Sequence, residues 1–242
     1  MQPKTFSTCA DCGEIMQIYQ INQAVHPCCT EPRDYISEAI RLMQEAAWSG
    51  DTAAVDRHAA FIEEIDAQPP RLLEAALKYA TDYGWPVFPI APGSKVPGIS
   101  KRAGGNGFED ATTDPATIRA WWGRNSNFNI GIPTGIAFDV IDVDCAAKGA
   151  GIWAWSEFRE SGYHPDIHGE TTTPSGGFHV FVEPTGDGNL GKFLPGVDFR
   201  GRGGYIVAPP SVRYDCDGLR YRWAIKPSPV LLSQTQQRKA AA

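Results

Sequence analysis

The sequence predicts an α+β protein: an antiparallel sheet in the second half of the chain, an α/β unit before it, and a small zinc-binding and helical appendage at the N-terminus. Three observations carry this expectation. Apolar, β-rich runs at residues 135–143, 178–182 and 205–208 are separated by Gly- and Pro-rich turns, the pattern of strands joined by tight connections. Ahead of them, segments of helical periodicity flank a single strand-like run at 85–90. Finally, Cys9, Cys12, Cys28 and Cys29 cluster at the start of the chain while Cys145 and Cys216 are isolated. Clustered cysteines in a cytosolic chain are more often metal ligands than disulfides.

Taken in order, residues 5–30 form a short polar segment with Cys9-x2-Cys12, thirteen further residues, and then His26-x2-Cys29. Four soft or borderline ligands at these spacings suit a tetrahedral structural Zn²⁺. Cys28 is an equal alternative to Cys29, and surface thiols or a Cys9/Cys12 redox pair are the other readings. A segment with so few large apolar residues needs a metal to fold, which favours zinc. Residues 33–48 read as an amphipathic helix with Ile36, Ile40, Met43 and Ala47 on one stripe. Gly50 and Asp51 break it, and a second helix places Val55, Ala59, Ile62 and Ile65 in register. Pro69-Pro70 then marks a boundary.

A third helix spans 72–83 and ends at Gly84. The run 85–90 is a strand whose prolines put it at a sheet edge. Residues 91–107 are loop. Asp114-Pro115 makes an N-cap and first-turn pair for a helix through Ile118, Trp121 and Trp122. Strands at 129–132 and 135–143 follow, then a helix around 152–160, then short strands to 225. The domain plan is therefore a zinc module at 1–32, an acidic helical linker at 33–70, a catalytic domain at 71–227 and a fraying tail at 228–242.

The chain of 242 residues is 42% hydrophobic and 21% charged, as a globular protein would be. It has no run near 18 apolar residues and no signal-like start, so a membrane protein is excluded and a cytoplasmic one expected. The net charge of −6 argues at first against nucleic acid. Most of it lies in 33–67, where eight acids face Arg33, Arg41 and Arg57. Residues 187–226 are locally basic, with Lys192, Arg200, Arg202, Arg213, Arg220, Arg222 and Lys226 against four aspartates. Local basicity matters more for a DNA footprint than the whole-chain sum.

The chemistry-bearing residues sit at the ends of the apolar runs. Asp142 and Asp144 are two apart, so on a strand both face one way. Paired carboxylates repel unless a cation lies between them, and hard divalent cations take such oxygen ligands. Asp139, at odd spacing, should face the other side. In Pro174-Ser175-Gly176-Gly177-Phe178-His179 the glycines let backbone N–H groups approach a phosphate, the serine adds a donor, and His179 can donate to triphosphate oxygens. A plain hairpin turn would explain the same residues. Asp198 supplies a third carboxylate able to meet Asp142 and Asp144 across strands. Arg200, two residues on and on the same face, is placed to neutralise a substrate phosphate. This parts list fits two-metal phosphoryl chemistry. Trp121, Trp122, Trp153 and Trp155 are candidate stacking platforms for single-stranded DNA, with core packing as the plainer role for the first pair.

As an ordered set, these motifs resemble the catalytic core of the archaeo-eukaryotic primase superfamily, and more specifically the bifunctional DNA primase/polymerase (prim-pol) N-terminal domain of phage and plasmid replication proteins. The resemblance runs from about Leu72 to Pro227. It includes Ala80-Thr81-Asp82-Tyr83-Gly84-Trp85-Pro86, Gly93-Ser94-Lys95-Val96-Pro97, Gly107-Phe108-Glu109-Asp110, Asn129-Ile130-Gly131 and Val207-Ala208-Pro209-Pro210-Ser211 besides the acidic and Ser-Gly-Gly-x-His motifs. It implies that Asp142, Asp144 and Asp198 hold two catalytic Mg²⁺ or Mn²⁺ ions. It also implies that His179 with Ser175 holds the triphosphate of the incoming NTP or dNTP, and Lys95 matches a family lysine; Gly176, Gly177 and Arg200, read from the residues above, complete the expected nucleotide site. Template-directed nucleotidyl transfer on single-stranded DNA is the expected reaction. The alternatives are a non-catalytic zinc-bearing DNA-binding replication accessory protein and a metal-dependent phosphohydrolase. Many family members continue into a helicase domain and this sequence does not, so a separately encoded helicase is the expected partner, unless the sequence is a fragment.

Overall fold

The computed structural model describes residues 69–227 without a break, residues 49–66 before them, residues 42, 46 and 47, and two three-residue strands at 6–8 and 15–17. Backbone contacts divide the chain into two units, Met1–Tyr35 and Ile36–Ala242. In the first, β1 (Phe6–Thr8) pairs antiparallel with β2 (Ile15–Gln17). Cys9 and Cys12 fall between these strands in sequence. They, His26 and Cys29 all lie outside the described residues, as does most of the helix expected over 33–48. Residues 42, 46 and 47 of that helix are helical.

The second unit opens with α1 (Thr52–Asp66) and α2 (Leu72–Asp82). Asp51 accepts the Ala54 N–H at 3.0 Å, so the residue that breaks the preceding helix starts the next one. Gly84, at φ +66°, ends α2 as anticipated. The strand expected over 85–90 is only β3 (Phe88–Ile90), with Val87 bridging to Thr112. Asp114 caps α3 (Pro115–Arg124), accepting from Ala116 and Thr117 N–H groups at 3.2 and 2.9 Å. Next come β4 (Asn129–Pro133), β5 (Asp139–Val143) and α4 (Ala146–Glu160). They are followed by β6 (Gly169–Thr172), β7 (Phe178–Val182), β8 (Leu190–Leu194), β9 (Val197–Arg200), β10 (Tyr205–Ala208) and β11 (Arg222–Ile225).

Two further boundaries differ from expectation. The strand read over 135–143 starts at Asp139, because Gly135 turns the chain at φ +80° against the backbone of Arg202. The helix read around 152–160 begins at Ala146. Gly149 and Gly151 weaken helical propensity there. Gly151 is nonetheless required, since a Cβ would run into the carbonyl oxygens of Asp144 and Gly196.

Among the described residues the unit has two antiparallel sheets: a three-stranded one in order β10-β4-β3 and a six-stranded one in order β11-β6-β7-β5-β9-β8. Pro89 lies in β3, an edge strand, where a missing N–H is tolerated. The larger sheet is covered on both faces, and β5 shows why its sequence alternates so little. Val140 joins a core with Phe181, Trp223, Trp85, Ile130, Ile206 and residues of α2 and α3. Ile141 and Val143 join a second core with Val180, Val197 and Trp155 of α4. The mixed helix and antiparallel-sheet architecture is the α+β fold that the sequence predicts.

Candidate active site

A single row of residues crosses the large sheet. Trp223 pairs with Thr171, Thr171 with His179, His179 with Asp142, and Asp142 with Asp198, each directly opposite the next on adjacent strands. Directly paired residues share a face, so this row lies on the side of Val140 and Phe181, facing the smaller sheet. Toward Val140 that face is apolar core, and at Asp142 it turns polar. Asp139, of opposite parity, is wholly buried and caps the turn at Thr185, accepting its N–H at 2.6 Å and its hydroxyl at 2.9 Å. It takes no part in the row.

Arg200 sits among the acids. Its Nε and Nη2 donate to Asp142 Oδ2 at 3.3 and 3.0 Å, and Nη2 also donates to Asp198 Oδ2 at 2.8 Å. Asp198 Oδ1 accepts the backbone N–H of Lys192 at 2.7 Å. That contact exists because β8 is irregular: its register against β9 shifts between Leu190 and Leu194, and Lys192 adopts φ +61°. Asp144 follows the last paired residue of β5, its N–H bonded to Gly196 O at 2.9 Å, and its side chain is exposed. Partial desolvation, then the nearby charges of Asp142 and Asp198, raise its pKa above the ordinary carboxylate value, while Lys95 and Arg200 oppose the shift.

The Ser175-Gly176-Gly177 turn is pressed against the end of β5. Gly176 has φ +87°, and a Cβ on Gly177 would overlap the Val143 carbonyl oxygen. The turn is a closed hairpin in which Gly176 N–H bonds Thr173 O at 2.9 Å, so one amide expected for a phosphate serves the turn itself. Ser175 is exposed, its hydroxyl 3.2 Å from that of Thr173. His179 is 5% exposed, with Nε2 3.5 Å from Asp142 Oδ1 and its ring 5.8 Å from that of Tyr221. Burial depresses its pKa, with Lys95 and Arg200 adding and Asp142 opposing, so the imidazole is neutral at pH 7. Its Nδ1 and the Thr171 hydroxyl are buried without hydrogen-bond partners.

Lys95 lies in the loop that follows β3 of the other sheet, close enough for its charge to bear on both Asp144 and His179. Its loop is well anchored. Tyr205 donates to the Lys95 carbonyl at 3.1 Å, and Tyr214 N–H bonds Gly93 O at 3.0 Å. Asn129, 1% exposed, donates from Nδ2 to Ser94 O at 3.2 Å and to Val212 O at 2.7 Å, and accepts the Val212 N–H at 2.9 Å.

The sequence-predicted residues Asp142, Asp198, His179 and Arg200 are thus in direct register or contact, and Asp144, Lys95 and the glycine turn border them. Four contributors were not foreseen: Lys192 through its backbone, Asn129 as a clamp, and Thr171 and Tyr221 beside His179. Only Gly188 before β8 and Gly191 within it hint at the irregularity. Of the tryptophans, Trp122 and Trp155 are buried in the cores and Trp121 packs against one, whereas Trp153 is 71% exposed.

Three aspartates offer the all-oxygen donor set that Mg²⁺ and Mn²⁺ prefer, and the mutual repulsion registered at Asp144 is what a cation would relieve. In donor chemistry the residues fit. Among the described residues no three His, Cys, Asp or Glu side chains are gathered to hold an ion, and Arg200 bonds two of the three aspartates.

Residues 76–235 match the family model described as bifunctional DNA primase/polymerase, N-terminal. The chain belongs to that family. The match begins inside α2 and takes in both sheets and every residue of the row. Prim-pol membership brings primase and polymerase chemistry, DNA and nucleotides as substrates, and a general use of divalent metals. A comparison with curated proteins found no match. Among the described residues, no helix is long and apolar enough to cross a membrane.

Proposed function

We propose that this prim-pol domain performs template-directed nucleotidyl transfer, adding an NTP or dNTP to a 3′-hydroxyl or to a first nucleotide on single-stranded DNA. The observation that supports it most is the in-register row of Asp198, Asp142 and His179, bordered by Asp144, Lys95 and Arg200. Asp142, Asp144 and Asp198 would hold two divalent cations, which when bound would supply activation of the attacking hydroxyl and charge neutralisation on the leaving pyrophosphate. The remaining work is positioning. His179, neutral and fixed against Asp142 and Tyr221, donates to a triphosphate oxygen. Lys95, on its anchored loop, and Arg200 add positive charge on the same side. The Ser175 hydroxyl is exposed at the rim, where a phosphate can reach it.

A phage or plasmid replication setting, a separately encoded helicase and a zinc module at Cys9, Cys12, His26 and Cys29 belong to the same proposal. Incorporation of labelled nucleotides on a primed and an unprimed single-stranded template, with Mg²⁺ or Mn²⁺, tests it. Template-dependent extension with release of pyrophosphate is expected. Nucleotide hydrolysis without extension would make the protein a phosphohydrolase. DNA binding without turnover would make it an accessory module.

A further inference from the structure

Arg200 has two demands on its one charge. The nucleotide site calls for a cation facing phosphate, yet the guanidinium is committed to Asp142 and Asp198 through three hydrogen bonds at 2.8–3.3 Å. Those acids are direct cross-strand neighbours, an arrangement in which like charges destabilise a sheet. Asp198 cannot turn away, because its Oδ1 is held by the Lys192 N–H. Its Oδ2 is thereby left to Arg200. A divalent cation held by these acids would draw on the same carboxylates, and a guanidinium left in place would repel it. Arg200 is itself one-third exposed, so its head can leave toward solvent without crossing the core.

We propose that Arg200 is an internal counterion for the acid pair, which a divalent cation must displace before the site can work. Its charge then moves from the carboxylates to the substrate side. This rests on the two-metal reading above. It makes Arg200 an exchangeable positioning residue rather than a permanent phosphate ligand. Nucleotide and metal should consequently bind cooperatively, since the phosphate rewards the displaced guanidinium that the metal leaves behind.

Mn²⁺ titration of the full chain without nucleotide, followed by the electron paramagnetic resonance signal of free Mn²⁺, tests this apart from activity. Arg200→Gln should bind Mn²⁺ more tightly than wild type, by about 3- to 30-fold, the equivalent of one partly screened ion pair. Arg200→Lys, which keeps the charge but not the fork, should fall between and provides the answer if the glutamine variant folds poorly. In chelator Arg200→Gln should melt below wild type, and saturating Mn²⁺ should close that gap. A residue that served only the phosphate would leave metal-only affinity unmoved. Mn²⁺ binding that is lost in Asp142→Asn but equal or weaker in Arg200→Gln overturns the counterion role alone. Absence of any Mn²⁺ binding at millimolar concentration overturns it together with the two-metal reading.

Discussion

Replacing Gly177 by alanine should separate site geometry from fold stability. A Cβ at this position would overlap the Val143 carbonyl oxygen and come within 3.2 Å of the Cys145 nitrogen. Both obstacles are backbone of the strand end that carries Asp142 and Asp144, so neither can rotate aside. Relieving the overlap requires the turn to back away by about 1 Å, because carbon and oxygen reach repulsion inside roughly 3.2 Å. The turn is stiffened by the Thr173 N–H bond to Gly177 O at 2.8 Å, so it moves as a piece. His179 lies two residues on and is carried with it, away from Asp142. Overpacking of this kind costs about 1–3 kcal/mol of stability. A displacement of about 1 Å at a positioning group costs up to about 100-fold in rate. Steady-state extension of a pre-annealed primer, with thermal melts of the same preparations, measures both. Gly176→Ala is the comparison. Its nearest neighbour would be the Cys145 side chain at 3.5 Å, so it suffers only the strain of a left-handed alanine, about 1–2 kcal/mol. Similar melting losses with a much larger rate loss in Gly177→Ala are expected. Equal kcat/KM for Gly177→Ala and wild type would refute the reasoning.

Asp142→Ala, Asp144→Ala and Asp198→Ala should each abolish nucleotide incorporation while circular dichroism shows a folded protein; a double Asp142/Asp144 variant extending primers at the wild-type rate would remove the metal-site assignment. His179→Ala should weaken nucleotide use by about 10- to 150-fold through the loss of one hydrogen bond to a charged acceptor, and an unchanged KM and kcat would count against its role. Purified protein should carry about one zinc per chain by elemental analysis, lost in Cys9→Ser/Cys12→Ser. A truncation starting near Pro70 should stay folded and still extend a pre-annealed primer but lose DNA affinity; equal affinity at equal salt would instead assign the N-terminal region to a protein contact.

Parity was the part of the site most readable in the sequence. Asp142 and Asp139 on opposite faces of β5, and Arg200 sharing a face with Asp198, follow from a period of two, whereas Asp144 lies just past the last paired residue of the strand. Pairing register did not follow. That Asp142 meets both His179 and Asp198 depends on three strands whose separations in sequence carry no such information, and only packing of the two cores fixes it. The element boundaries missed at Gly135 and Ala146 have the same origin, since both glycines involved, Gly135 and Gly151, answer to backbone from distant segments. Lys192 was legible only as a positive charge, whereas its contribution is an N–H group aimed by a bulge. Arg200 was read as facing substrate, and the isolated sequence gives no sign that the acids would claim it first.

Asn129 joins two stretches whose sequence positions conceal their partnership. One amide group fastens Ser94, next to Lys95, and also Val212, which lies 83 residues beyond Asn129 itself. The segment around Lys95 and the segment after β10 therefore form one lip. In an exchange of parts between related domains, transplanting residues 91–98 alone would bring in a lysine whose far anchor belongs to another protein. The transferable unit is the pair of segments together with the asparagine between them, and chimaeras cut through that unit should fail even where each half is native.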